Sequence, residues 1–298
     1  MTVGTPDSLL GHPEAGPTPS GGSEPHAVGS MEAQTFWPYP RWIAHRGAGK
    51  LAPENTLAAF RLGAAYGYRM FECDVKLSAD GVPFLLHDAT LDRTSNGQGL
   101  AAEMSWDALS RLDAGSWHSP AYAGEPLASL EAVAHYCLAN TLSLNIEIKP
   151  TPGSESLTGS VVANAAARLW ADAPQSTLPL LSSFQADALE AARVAQAHLP
   201  RALLLDNLRA GWLASALQLG CVAVVCNHVQ WDALSVQQAQ SAGLKVLSYT
   251  VNEASAVDRL WALGTDGIIP ERADLFSPAN ELGSNLASAT RPPLPHSR

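Results

Sequence analysis

No stretch of this chain approaches the ~18 apolar residues that a helix needs to cross a bilayer, so no transmembrane span is expected. The N-terminus lacks a basic region followed by an apolar run, which argues against a secretory signal. Positive charge is scarce: 18 Lys and Arg stand against 28 Asp and Glu, for a net charge of −10. With no basic cluster to track a polynucleotide backbone, nucleic acid is a poor partner, and the same acidity disfavours docking on anionic lipid. Cysteine is sparse as well. Cys73, Cys137, Cys221 and Cys226 form no C-x-x-C pair, and each falls in a strand-like or helix-like run where a buried, reduced thiol is expected. These absences point to a cytoplasmic protein that acts on a small soluble molecule.

Two common catalytic signatures are missing too. Gly47-Ala48-Gly49-Lys50 hints at a phosphate loop, but Ala44 stands where its first glycine belongs and Leu51 where a hydroxyl should meet Mg²⁺. Ser182 and Ser183 lack the G-x-S-x-G elbow, which disfavours a serine hydrolase.

What is present is a chain of 298 residues, 46% hydrophobic, enough for a sizeable core. Residues 1–35 are rich in Gly, Pro, Ser and Thr, a composition unable to offset its ordering entropy, so disorder is expected there. Met31, just ahead of the first apolar motif, is a candidate translation start. A similar polar tail covers residues 277–298, leaving a folded body of residues 36–276. Within it, β-rich runs at 42–45, 70–75, 143–148, 179–182, 201–205, 222–226, 244–250 and 266–269 alternate with Ala- and Leu-rich helical patterns. One such helix is expected over Glu54–Tyr66, entered at Pro53 and left at Gly67. Eight βα units in this length imply an α/β fold, a TIM (β/α)8 barrel with its active site at the C-terminal strand ends.

The chemistry-bearing residues cluster at those ends. His45 closes Trp42-Ile43-Ala44-His45, and His87 closes Phe84-Leu85-Leu86-His87. Glu72 and Asp74 sit two apart on one strand, as do Glu147 and Lys149, so each pair shares a face. Asp80-Gly81 is a hairpin signal. Antiparallel return of residues 82–87 would bring Leu86 and His87 opposite Cys73 and Asp74. Residues 88–127, long for a barrel loop and carrying Trp106, Trp117 and Tyr122, are expected to form a small capping insertion after the second strand. Three carboxylates, two imidazoles and two cations at strand ends suit metal-assisted phosphoryl chemistry.

In order along the chain, His45-Arg46-Gly47, Pro53-Glu54-Asn55-Thr56, Glu72-Cys73-Asp74-Val75, Asp80-Gly81, His87-Asp88, Leu91-Asp92-Arg93-Thr94 and Glu147-Ile148-Lys149 resemble the glycerophosphodiester phosphodiesterase family. Ser183-Phe184, Tyr249-Thr250-Val251-Asn252 and Thr265-Asp266-Gly267-Ile268-Ile269 continue the likeness, which is greatest to short cytoplasmic bacterial members. The resemblance implies a TIM barrel that hydrolyses glycerophosphodiesters to sn-glycerol 3-phosphate and an alcohol. It implies metal ligands at Glu72, Asp74 and Glu147, catalytic histidines at His45 and His87, and phosphate contacts from Arg46 and Lys149 with Glu54 nearby. All-oxygen ligation suits Mg²⁺ or Ca²⁺ rather than zinc. His45 is assigned as base and His87 as acid, with either water or the adjacent glycerol hydroxyl as nucleophile. Phe184 and Tyr249 are expected to wall the glycerol pocket. Pro270-Glu271-Arg272 departs from the family pattern, and no role is carried onto it.

Each residue also has a plainer reading. Glu54 at a helix N-terminus would stabilise the macrodipole regardless of function, and Arg46 could cap a neighbouring helix. Two rival functions stand beside the first. A lysophospholipase D-like enzyme acting on acylated substrates would use the insertion's aromatics as a rim groove. A non-catalytic barrel would only hold a phosphorylated ligand.

Overall fold

A computed structural model describes residues 37–278. The segments expected to be disordered, 1–35 and nearly all of 277–298, lie outside the described residues. Ser277 is an exception, buried with its hydroxyl donating to the Tyr66 carbonyl.

Eight strands form one sheet: β1 (Met70–Leu77), β2 (Pro83–Leu85), β3 (Ser143–Ile148), β4 (Leu180–Ser183), β5 (Arg201–Leu205), β6 (Ala223–Asn227), β7 (Lys245–Tyr249) and β8 (Gly267–Ile268). Their order is β2-β1-β3-β4-β5-β6-β7-β8, parallel throughout except for the β1–β2 hairpin. The expected first strand at 42–45 is reduced to single bridges, Trp42 to Ile268 and Ala44 to Phe71. Pro38 and Pro40 remove two donors just before it, and Arg46 and Gly47 turn the chain away at positive φ just after it. The bridges still close the ring. Ile43 N donates to the Ile268 carbonyl at 3.0 Å and Ala44 N to the Met70 carbonyl at 2.9 Å, so this segment is the eighth parallel stave of a TIM barrel.

Strand alternation divides the core in two. Ile43, Met70, Leu180, Leu204, Val225, Leu247 and Ile269 fill the barrel interior, while Phe71, Cys73, Val75, Leu144, Ile146 and Ile148 face the surrounding helices. Because both faces are covered, β1 is buried along its whole length. The helices are α1 (Leu57–Ala65), α2 (Trp106–Leu109), α3 (Leu130–Ala139), α4 (Glu155–Leu169), α5 (Ala186–Ala195), α6 (Trp212–Gln218), α7 (Ala233–Ser241) and α8 (Ala254–Ala262). None among the described residues is long and apolar enough to cross a membrane. All four cysteines are buried and unpaired, in keeping with their sequence setting.

α1 begins three residues later than its pattern suggests. Thr56 is the N-cap, its hydroxyl accepting from Ala59 N, and Asn55 before it is left-handed at φ 61°. Glu54 therefore lies in the preceding turn, not in the first helical turn, and the macrodipole account of it does not hold. Gly81 at φ 78° makes the expected hairpin turn, with Ser78 N donating to the Val82 carbonyl. Val75 pairs with Leu85, and Leu86 N donates to the Asp74 carbonyl at 3.0 Å. That register carries His87 to the acidic strand end. The segment after it has a small core of its own, in which Leu91, Ala101, Leu109 and Ala114 pack on Phe84 and Leu86. Trp106 belongs to this core, 5.9 Å from Phe84, rather than to a rim groove.

The turn bearing His45 is pressed against α1 through two glycines. A Cβ on Gly63 would lie 2.1 Å from the Gly47 carbonyl oxygen, and one on Gly47 2.7 Å from Ala59 Cβ. Alanine in a helix interior is normally favoured over glycine by about 1 kcal/mol. Here the close approach reverses the sign. Gly63→Ala is expected to destabilise the fold by roughly 1–3 kcal/mol through overpacking, read as a lower denaturant midpoint with an unchanged slope.

Candidate functional site

Parallel pairing sets Asp74 opposite Glu147 and Glu72 opposite Asn145 across β1 and β3. Alternation turns all four side chains into the barrel mouth. One ligand oxygen from each of Glu72, Asp74 and Glu147 lies within 4.8 Å of the others. Glu72 Oε1 is buried without a hydrogen-bond partner, and Asp74 Oδ1 has no hydrogen bond beyond its ion pair with Lys149, a costly arrangement for Glu72 unless something else meets it. A cluster of carboxylate oxygens with no sulfur or imidazole, one of them unpartnered, fits a hard divalent cation.

Two cations from the chain flank this triad. Lys149 Nζ donates to Glu147 Oε1 at 2.8 Å and lies 3.3 Å from Asp74 Oδ1. Arg46 Nε lies 3.1 Å from Asp74 Oδ2, and its Nη1 donates to Glu54 Oε1 at 2.9 Å. Arg46 caps no helix. Its left-handed backbone, φ 49°, costs about 1–2 kcal/mol in a non-glycine residue, and it aims the Arg46 N–H at Glu72 Oε2, 3.1 Å away. Burial works to raise the Asp74 pKa, but Arg46 and Lys149 overcome it and hold that carboxyl well below its usual range. Glu147 goes the other way, pushed up to about 7 by burial and by Asp74. Glu72 is also raised well above its usual value, first by burial and then by both acidic neighbours.

His45 and His87 line the same cleft, about 360 Å³ in volume, together with Arg46, Glu147 and Lys149. His45 sits between two carboxylates, with Nε2 3.8 Å from Glu72 Oε2 and Nδ1 3.8 Å from Glu271 Oε1. Burial, reinforced by Arg46, pushes its pKa down to about 4, so the ring is neutral at pH 7. His87 is also lowered by burial. Its Nδ1 lies 2.7 Å from Asp88 Oδ1, and Arg93 holds Asp88 at 2.6 Å. Phe184 and Tyr249 line the same cleft and meet edge to face at 5.9 Å, the Tyr249 hydroxyl donating to Asp206 at 2.9 Å.

All the residues singled out from sequence thus come to one end of the barrel, although Glu54 is set back, bonded to Arg46 and to both terminal nitrogens of Arg93. Several partners were not anticipated. Glu271, in the stretch to which no role was given, reaches His45, and Lys50 holds it at 2.7 Å. Asn55 donates to Asp74 Oδ2 at 2.8 Å and accepts from Asp74 N at 3.2 Å; a polar residue just before a helix cap was the available signal. Lys76 is two residues beyond Asp74 on the same face. It donates to the Lys149 carbonyl at 3.1 Å, and burial pushes its pKa down to about 8. Asn145 is fully buried in the cleft floor with both amide atoms unpartnered.

The profile of the Glycerophosphoryl diester phosphodiesterase family matches residues 45–275. YhdW of Bacillus subtilis strain 168, provisionally named a glycerophosphodiester phosphodiesterase, is 32% identical over 78% of this chain and 95% of its own length. The glycerophosphodiester phosphodiesterase of Caldanaerobacter subterraneus subsp. tengcongensis is 30% identical over 77% of this chain and 93% of that protein. Among solved structures, a phosphodiesterase of Oleispira antarctica in complex with the product sn-glycerol 3-phosphate superposes with a TM-score of 0.75 at 31% identity, covering 82% of this chain and 97% of that one.

The raised carboxyls carry a pH signature. A carboxyl whose folded pKa lies above its unfolded value near 4.3 binds more protons folded than unfolded, so it lowers stability as pH rises through the folded value. For the metal-free protein, Glu147 makes this window run from about 4.3 to about 7. Over pH 6 to 8 this contribution is opposed by His45 and Lys76, whose lowered folded pKa values add stability as pH rises, so the readout is the metal-induced shift in melting temperature, at roughly 2–4 °C per kcal/mol. Added Mg²⁺ or Ca²⁺ should raise the melting temperature more at pH 8 than at pH 6, because metal and proton compete for the same oxygens. A metal-induced shift independent of pH would remove these carboxyls from the metal site.

Proposed function

The chain belongs to the Glycerophosphoryl diester phosphodiesterase family and is a phosphoric diester hydrolase, and from that premise we propose that it cleaves glycerophosphodiesters to sn-glycerol 3-phosphate and an alcohol, with a divalent cation and two histidines. The observation that carries this reading is the joint lining of one cleft by His45, His87, Arg46, Lys149, Glu72 and Glu147. Formal charge agrees. At the triad itself, three carboxylates against Arg46 and Lys149 leave one negative charge in excess. A divalent cation and a phosphodiester monoanion together bring that excess to zero.

Glu72, Asp74 and Glu147 hold the cation, Mg²⁺ or Ca²⁺ by donor chemistry. When bound there, it supplies Lewis-acid neutralisation of the non-bridging phosphate oxygens. Arg46 offers a planar fork and Lys149 a point charge to the same anion. Neutral His45 takes the proton of the attacking oxygen, from water or from the neighbouring glycerol hydroxyl. Glu271 and Glu72 on either side stabilise the imidazolium that results. His87 protonates the leaving oxygen, its ring oriented by Asp88 so that Nε2 is free to face the substrate. Phe184 and Tyr249 form the wall against which the glycerol carbons pack. Four buried free thiols support a reducing, cytoplasmic setting.

The test is release of glycerol 3-phosphate from glycerophosphocholine with saturating metal and with EDTA. Chelation should abolish it. His45→Ala and His87→Ala should each lower kcat by about 10²–10⁴-fold, and Glu72→Ala should remove both metal response and activity. Turnover that survives both EDTA and Glu72→Ala would overturn the metal-assisted mechanism. Absence of glycerol 3-phosphate with release from lysophospholipids instead would favour the acylated-substrate reading.

A further inference from the structure

One guanidinium joins the two charged halves of the site. Arg93 follows Leu91 and precedes Thr94, both buried, so its backbone is anchored in the insertion. Its side chain spans two carboxylates. Nε and Nη2 donate to Asp88 Oδ2 and Oδ1 at 2.6 and 3.1 Å, while Nη1 and Nη2 donate to Glu54 Oε2 and Oε1 at 2.8 Å each. Each carboxylate thus receives a pair of bonds from one edge of the planar fork, a geometry that a lysine ammonium lacks. Beyond each carboxylate stands a group of the reaction. Asp88 Oδ1 also lies 2.7 Å from His87 Nδ1, and Glu54 Oε1 also accepts from Arg46 Nη1 at 2.9 Å. Arg93 itself does not line the cleft that holds both histidines.

Holding the insertion in place does not depend on this arrangement. Leu91, Leu109 and Ala114 pack on Phe84 and Leu86, and Asp113 binds the far end through Gly115 N and Gly124 N. What Arg93 supplies is orientation. Its hydrogen bonds hold the Asp88 carboxyl well below the usual carboxylate range, so Asp88 stays an ionised acceptor for the Nδ1–H of His87 and leaves Nε2 for the substrate. On the other edge, Glu54 is fixed between two arginines and so fixes the fork of Arg46.

We propose that Arg93 is a positioning residue that sets the general acid His87 through Asp88 and the phosphate-side Arg46 through Glu54 at once. The proposal rests on the reading of His87 as the acid of a glycerophosphodiester hydrolase. It is tested with two esters of glycerol 3-phosphate, whose second alcohols are choline and 4-nitrophenol, using the full chain with saturating Mg²⁺. The choline alkoxide needs a proton to leave and 4-nitrophenolate does not, so a fault in the acid changes the ratio of the two kcat/KM values. A fault at Arg46 weakens the grip on the phosphoryl group that both esters share and cancels in that ratio.

Arg93→Ala should lower kcat/KM for both esters, and about tenfold more for the choline ester. Asp88→Asn should reproduce the change in ratio, and Glu54→Gln the common loss without it; these two variants carry the test if Arg93→Ala does not fold. His87→Ala sets the scale, with a change in ratio at least as large. Equal losses on both esters for Arg93→Ala and Asp88→Asn, while His87→Ala discriminates, overturn the proposal and leave the hydrolase reading intact, because a loosened fold does not distinguish the two alcohols. An Arg93→Ala enzyme that matches wild type on both esters overturns it as well. Equal losses for His87→Ala remove that residue as the acid and the proposal with it, and no turnover of either ester by the wild type overturns the hydrolase reading itself.

Discussion

The parallel register of β1 on β3 sets Asp74 against Glu147 and Glu72 against Asn145, and the other contacts at the barrel mouth are arranged around that pairing. Strand side chains alternate with a period of two, so a one-residue slip of β1 would send Glu72 and Asp74 outward among the helices and bring Cys73 into the mouth, leaving Glu147 of β3 without them. The apolar outer face makes such a slip costly. Phe71, Cys73 and Val75 are fully buried against the helical layer, and each large apolar side chain there contributes about 1.5–3 kcal/mol by leaving water. Hydrophobic burial on one side of the strand thus fixes the geometry of charge on the other.

Gathering three buried acids is unfavourable in itself, and the surrounding chain offsets the cost by local means. Asp74, the most enclosed, receives Asn55, Arg46 and Lys149 and stays ionised. Glu72 and Glu147 receive less, and burial lifts both. Besides Lys149 at the end of β3, the supporting groups come from three loops: the turn after residue 45, the segment before α1, and the insertion that supplies Arg93. Glu54 joins all three by accepting from Arg46 and Arg93 at once. A residue that looks from sequence like a helix-dipole acid is therefore the brace between the phosphate-side arginine and the insertion.

The insertion has a similar double character. Its own small core, built on Phe84 and Leu86 of the hairpin, makes it a fixed extension of β2 rather than a loose cover. Asp113 secures its far end by accepting from Gly115 N, Ser116 N and Gly124 N. Through that scaffold Arg93 reaches Asp88 and Glu54, so the orientation of His87 and that of Arg46 are set by one side chain.

Much of the site was legible in the chain. Apolar runs ending in His45 and His87, acidic pairs spaced by two, and Asp80-Gly81 each carry local rules, of alternation and of turn chemistry, that need no knowledge of distant residues. Those rules gave the barrel class, the hairpin register and the cluster of carboxylates with its cations. They did not give the exact first stave, which prolines and positive-φ residues shorten to bridges, nor the start of α1, where the Thr56 cap outweighs Pro53. Above all they did not give Glu271, Lys76 or Arg93 as partners of the site. The sequence by itself determined which strands form and which faces their acids and histidines share, because backbone periodicity is local. Only the closed ring decided that residue 271 stands beside residue 45, because the bridges from 42–44 to β8 and β1 join opposite ends of the chain, and no pattern within either end encodes that contact.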